Sequence, residues 1–285
     1  MVDPVTVTIF LNVAYEIITL FIIVLGLAIV FGLLRVMNLA HGEFIMVGAY
    51  AAYFCQDQGW PYITAIPLAL AVAAALGYLV EATLIRHLYN RPFDTLLVTW
   101  GLSFVLREII ELVYGKGFQS LTNPVPGSIT ILGESYPTYR MMVMAVAIVA
   151  ISALTIWYRR SLTGARVKAM VENPELAQAV GIHVDRLARH TFVVGTCFGA
   201  LAGVMLAPLT RVEPFMGLDY ILTSFFVLVV GGLGSLFGLA AGAGVIGGVQ
   251  SVVANLSGVT SGYFSVLLIA IFFLWLKPHG LVYRS

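Results

Sequence analysis

The chain has 285 residues, of which 60% are hydrophobic and only 10% charged, with a mean hydropathy of +0.97. Average soluble domains carry roughly 25% charged residues, so this chain lacks the polar surface that a water-soluble fold requires and reads as an all-α, polytopic integral membrane protein. Its formal net charge of +1 excludes nucleic acid as an electrostatic partner.

The opening residues, MVDPVTVTIFLNVAYE, have no basic n-region and no small-residue cleavage site, so the first apolar run is expected to stay as a membrane helix. Breaks at charges, Pro and Gly clusters divide the chain into nine apolar segments. They lie near 7–34, 42–55, 61–88, 95–114, 138–158, 190–209, 220–237, 239–256 and 262–277. The expectation is eight or nine membrane segments in one transmembrane domain spanning 1–285. Cys55 and Cys197 show no C-x-x-C spacing and read as small apolar packing residues.

The second segment poses a problem of length. Residues 44–55 make a helix of about 18 Å at 1.5 Å per residue, against a hydrocarbon core of about 30 Å. Asn38, His41 and Glu43 precede it. If the segment crosses, its helix starts near Asn38 and draws these polar groups to membrane depth; otherwise it enters and stops as a half-helix. Polar residues at that depth face a protein interior or a water-filled path. The alternative is an interfacial turn in which Asn38 or Glu43 caps a helix.

In the fourth segment Arg107 and Glu111 stand at i,i+4 and are expected to pair along one face; the alternative is that they belong to a polar path. The Gly-, Pro- and Ser-rich stretch 115–137 reads as an ordered loop. Residues 159–189 form the only long charged segment, and in it NPELAQAVGI carries helix signals. Asn173 is placed as cap, Pro174 in the first turn, Glu175 at the positive helix end and Gly181 as the stop. So short a helix is marginal alone and suggests a socket for another protein; the alternative is a solvated loop.

Positive charge orients the chain. With 159–189 in the cytoplasm, the inside receives Arg35, Arg86, Arg91, the six basic residues of that segment, Lys277 and Arg284. Lys116, Arg140 and Arg211 stay outside, which puts the N-terminus outside and the C-terminus in the cytoplasm. Toward the C-terminus, Gly195, Gly199 and Gly203 recur every four residues, as do Gly238 with Gly242 and Gly244 with Gly248. On a helix this spacing makes a smooth stripe for close helix packing.

Motifs of covalent chemistry are missing. There is no Walker pattern, H-E-x-x-H or G-x-S-x-G. GAGVIG at 242–247 matches G-x-G-x-x-G but sits in an apolar run with no acidic residue about 20 positions on. An ion-coupled secondary transporter would need an intramembrane acid, for which Glu16 and Glu108 are the candidates; a passive channel would need a continuous polar pore.

Several ordered stretches resemble the permease subunits of ABC importers for branched-chain amino acids and their relatives for urea and short amides. VMNLAHGEFIMVGAY (36–50) is similar to that family's first signature. GARVKAMVENPELAQAVGIHVDRLARHTFVVGTCFGALAGVMLAP (164–208) is similar to its coupling loop and following helix, VVGGLGSLFGLAAGAGVIG (229–247) to its Gly-rich segment and KPHGL (277–281) to its ending. RPFDTLLVTWGLSFVLRE (91–108) looks like the urea-type subgroup. The resemblance implies a transporter subunit in the inner membrane that catalyses no covalent chemistry and binds no cofactor, with ATP and Mg used by separate subunits. Its implied partners are a homologous permease, two ABC ATPases and an extracytoplasmic solute-binding protein. It places Glu175, Leu176, Ala177 and Gly181 at the ATPase contact, although the loop departs from the fuller Glu-Ala-Ala motif of other importers. Asn38, His41 and Glu43 are the expected substrate path.

Overall fold

A computed structural model describes residues 4–89, 91–232, 236–277, 280 and 281. Part of the 229–247 stretch, part of KPHGL, and Arg284 lie outside the described residues. Within them the regular structure is helical apart from one short hairpin and an isolated bridge between Gln119 and Val212. The helices are α1 (Pro4–Leu34), α2 (His41–Asp57), α3 (Ala65–Thr83), α4 (Pro92–Tyr114), α5 (Thr138–Arg160), α6 (Leu162–Glu172), α7 (Pro174–Ala179), α8 (Val184–Leu206), α9 (Met216–Gly231), α10 (Leu236–Ser257) and α11 (Val259–Leu276).

Six stretches are long and apolar enough to cross a membrane: Val5–Leu34, Tyr62–His87, Thr138–Arg160, Val184–Leu209, Leu236–Ser257 and Val259–Leu276. The expected segments 42–55, 95–114 and 220–237 correspond to α2, α4 and α9. Of these, α2 has 17 residues and α9 has 16. The third, α4, is long enough but carries Asp94, Arg107, Glu108 and Glu111. Length and apolarity therefore support a polytopic membrane fold but do not by themselves reach eight or nine crossings.

The chain divides into two compact units. In the larger, residues 25–121 and 150–221, α8 is the hub on which α2 and α3 pack. Lipid tails are as apolar as leucine, so helices here associate by close contact rather than by escape from water. Small residues supply that contact. The buried face of α3 repeats Ala65, Ala69, Ala73 and Gly77, and the Thr196 hydroxyl of α8 reaches the Ala73 carbonyl at 3.3 Å. A Cβ added at Gly203 would stand 1.9 Å from the carbonyl oxygen of Ile45, and one at Gly48 would stand 2.0 Å from that of Ala200. Neither position can hold a side chain while α2 and α8 stay this close.

The smaller unit comprises residues 1–24, 122–149 and 222–285, and here α10 packs on α11. The glycines Gly238 and Gly242 meet the backbone of α9: added Cβ atoms would lie 2.6 Å from the Gly231 oxygen and 2.3 Å from the Val227 oxygen. Gly244 is different, with nothing within 4 Å of an added Cβ. The buried side of α10 is Gly238, Leu239, Gly242, Ala243, Ile246, Gly247 and Ser251; a Cβ on Gly248 would meet only the Ile17 side chain, at 3.8 Å, so among the described residues Gly244 and Gly248 form no close backbone stripe.

Residues 115–137 are more ordered than a loop. They contain an antiparallel hairpin, β1 (Ser128–Ile131) with β2 (Glu134–Pro137), in register Ile131↔Glu134. Leu132 and Gly133 have φ of 51° and 93°, the two positive values that a two-residue hairpin turn needs to match strand twist.

Candidate functional site

The short second segment is explained by a chain that re-enters the larger unit before helix begins. After α1 ends, Arg35 takes φ 55° and its N–H bonds the Phe31 carbonyl at 3.0 Å, a left-handed C-cap. Residues 36–38 then run without regular structure and 39–40 turn into α2, with Val36, Asn38 and Ala40 fully buried. They climb back along α1 until His41 lies against Gly26, whose added Cβ would meet the imidazole Cε1 at 2.6 Å. From Gly26 to Leu34 a helix rises about 12 Å, so α2 starts about that far inside the end of α1. Asn38 is fully buried, and its Oδ1 accepts the Ala40 N–H at 3.1 Å in a local turn; it does not cap α2, whose N-cap, Ala40, makes no side-chain capping bond.

Irregular backbone buried inside a membrane protein must find partners within the protein. Thr99 of α4 provides them: its hydroxyl accepts the Leu39 N–H at 3.0 Å and lies 3.1 Å from the Met37 carbonyl. Thr99 belongs to a stripe. The buried residues of α4 are Thr95, Thr99, Ser103, Leu106 and Arg107, while Leu97, Trp100, Phe104, Val105 and Leu112 are exposed. This reverses the pattern of a water-soluble helix and suits a helix in lipid that turns its polar side inward.

At the upper end of the stripe Arg107 Nη2 donates to Glu43 Oε1 at 2.8 Å, with side-chain exposures of 9% and 2%. Arg107 therefore does not pair with Glu111, which instead faces Lys116 at 3.9 Å. Helical side chains lean toward the N-terminus, which aims Arg107 back at Ser103, 3.4 Å away, and away from Glu111. Glu43 sits in the first turn of α2, where the helix dipole adds to its stabilisation. Phe104 and Phe215 cover the guanidinium, their ring centres 5.5 and 4.9 Å from Cζ. Glu43 Oε2, Arg107 Nε, Asn38 Nδ2 and the Tyr50 hydroxyl are buried without hydrogen-bond partners among the described residues.

His41 is fully buried. It lies between Gly26 and Gly199, the latter 3.0 Å from its Cε1 if a Cβ were added. Gly195 meets Val30 and Gly26 of α1, and Gly203 meets α2. The glycines of α8 thus set the space in which His41 is held and α2 approaches.

A second buried charge sits lower in the unit. Glu81 of α3 is fully buried; it accepts from Arg189 Nε of α8 and from the Tyr89 hydroxyl at 3.0 Å. Burial, then the Glu81 charge, raises the Tyr89 phenol well above its ordinary pKa, so it stays protonated and donates. Tyr89 also packs on Val167, Met170, Leu187 and Ala188, the small core that fixes the charged segment. That segment is two helices rather than one. The hydroxyl of Ser161 caps α6 by accepting the Gly164 N–H at 2.9 Å. The Asn173 side chain caps α7 by accepting the Leu176 N–H at 2.9 Å. Gly181 at φ 87° ends α7, with Gly181 N–H to Gln178 and Ile182 N–H to Ala177, the pair of bonds of a Schellman stop. Glu175 and Leu176 are exposed while Ala177 is turned inward at 2%.

The two acids considered for ion coupling are unlike these. Glu16 on α1 is half-buried, and Glu108 on α4 is exposed. Among the described residues no group of three His, Cys, Asp or Glu is placed to hold a metal ion. Glu81, Ser103 and Thr99 are the site residues that sequence reasoning missed; the sequence singles out Arg107, but with Glu111 rather than Glu43 as its partner. A lone acid in an apolar run was the signal for Glu81, and a four-residue polar repeat was the signal for the α4 stripe.

Membrane-length helices around a buried polar seam have the build of a transport protein. A family model described as "Branched-chain amino acid transport system / permease component" matches residues 9–276, and the chain belongs to that family. It is 30% identical over 242 residues to the high-affinity branched-chain amino acid transport system permease protein LivH of Escherichia coli strain K12, covering 79% of each chain. It is likewise 30% identical to LivH of Salmonella typhimurium over 281 residues, covering 92% of this chain and 91% of that one. Among solved structures, PsaBC from Streptococcus pneumoniae in complex with Fab aligns with a TM-score of 0.52 at 15% identity, over 94% of this chain and 91% of that one, a likeness of fold.

Proposed function

We propose that the chain is one permease subunit of an ATP-driven importer for branched-chain amino acids, lying in the inner membrane with its N-terminus outside and its C-terminus in the cytoplasm. Its partners are a second, homologous permease, two ABC ATPases that bind ATP and Mg, and a solute-binding protein; the chain itself binds no cofactor. The branched-chain names of its relatives favour amino acids over urea or short amides. Transport proceeds by alternating access: closure of the ATPases moves α7, and the movement passes through the Val167–Leu187 core to α8 and α1. Asn38, His41 and Glu43 lie on the substrate path.

The observation that carries this reading is the surface of α7. A six-residue helix, fixed at both ends by its caps, presents Glu175 with Leu176 and Val180, which are 60% and 69% exposed. Two exposed apolar side chains on the charged segment are a docking feature, and the Ala177 side buried beneath them gives the load a path inward. Gly181→Pro and Glu175→Lys are expected to abolish substrate-stimulated ATPase activity in the assembled complex while the subunit still inserts. Unchanged stimulated turnover in both variants would refute the coupling role.

A further inference from the structure

We propose that the Glu43–Arg107 pair is the element that recognises the charged ends of the transported amino acid, exchanging its internal ion pair for the substrate's carboxylate and ammonium as the substrate passes. The proposal rests on the branched-chain reading above and names the groups of that path that select a zwitterion.

Two observations and a charge argument support it. The pair is half-made. Arg107 contacts one carboxylate oxygen through Nη2, while its own Nε and the second oxygen of Glu43 are buried and idle. An arginine fork can hold a carboxylate through two parallel bonds, so an incoming carboxylate can make two contacts where Glu43 makes one. The pair is also shallow on the side away from the lipid-facing Phe104, because Phe215, the other ring over the guanidinium, is 48% exposed. A substrate reaches Arg107 by moving the Phe215 side chain, whose ring offers an apolar surface for a branched aliphatic chain.

Charge arithmetic makes the exchange feasible. Breaking a buried ion pair leaves an uncompensated charge at a cost of about 3–5 kcal/mol. An α-amino acid brings one charge of each sign, so Arg107 takes its carboxylate and Glu43 its ammonium, and no charge is left unpaired at the end. A neutral amide offers neither charge and cannot separate the pair. The seam therefore discriminates zwitterions from urea-like molecules of similar size.

The test is made on the complete complex in proteoliposomes, with radiolabelled leucine, loaded binding protein and ATP, reading leucine accumulated per ATP hydrolysed. Arg107→Lys keeps a charge for Glu43 but loses the planar fork, and it is expected to lower that ratio at least tenfold. Phe215→Ala sits at a half-exposed position whose truncation leaves the buried pair in place, and it is expected to lower the ratio about threefold. A structural role alone would reduce the amount of assembled complex and leave leucine per ATP unchanged in what assembles. An unchanged ratio in either variant overturns the proposal. No leucine uptake by the unmodified complex overturns the branched-chain reading, and this inference with it.

Discussion

The same substitution at two glycines should change stability in opposite directions. Replacing Gly by Ala in a helix gains about 1 kcal/mol of helix propensity. At Gly244 nothing lies within 4 Å of the new methyl, so that gain stands alone. At Gly203 the new carbon falls 1.9 Å from the Ile45 carbonyl oxygen, and ordinary contact begins at 3.4 Å. The obstacle is backbone, which cannot rotate aside, so α2 and α8 must part. Even a 0.5–1 Å gap forfeits roughly a quarter to a half of the dispersion well at each contact. Overpacking costs about 1–3 kcal/mol; with the upper end expected here, the net loss is about 2 kcal/mol. At about 2–4 °C per kcal/mol for chains of this size, Gly203→Ala should lower the melting midpoint of the detergent-purified chain by about 4–8 °C. By the same conversion Gly244→Ala should raise it by about 2–4 °C. A Gly203→Ala protein that melts at or above the unmodified temperature would refute the close-contact account of α2 and α8.

Three further outcomes are expected. Thr99→Val removes the hydroxyl that serves the irregular backbone at Met37 and Leu39, and should cost about 1–3 kcal/mol through an unsatisfied buried amide; Thr99→Ser should cost clearly less, and equal melting of the two would contradict the role. Arg189→Leu strands the buried Glu81 carboxylate, so the yield of monodisperse protein on size exclusion should fall, and Glu81→Leu/Arg189→Leu should recover it; a double variant worse than the single one would go against the pairing. In a Cys55→Ala/Cys197→Ala background, Arg166→Cys should react with an impermeant maleimide only from the cytoplasmic side and Lys116→Cys only from outside; the reverse would overturn the orientation.

Long apolar helices were legible because each one is a local property of composition. So was the oddity of Asn38, His41 and Glu43, three polar groups where a crossing helix had to start. What surrounds them was not legible. Glu43 meets Arg107 from 64 positions away in sequence, and Arg107 had a closer acid in sequence at Glu111. Choosing between them requires knowing that side chains lean back along the helix and that α2 lies beside α4. Helix α6 was missed because its apolar positions, Val167, Met170 and Val171, are sparse among charges and find their core only when α8 folds back on them. The hairpin was hidden by its Gly- and Pro-rich flanks. Glycine spacing was informative but ambiguous: Gly203 and Gly244 sit in similar local sequence, and only packing shows that one faces backbone and the other open space.

The measurement closest to the central claim compares two sets of proteoliposomes, one holding this chain alone and one holding it with its partner permease and ATPases. Leucine should accumulate only in the second, and only when ATP and loaded solute-binding protein are both supplied. Leucine flux through the chain alone, without ATP, would show a secondary transporter or channel and contradict the account.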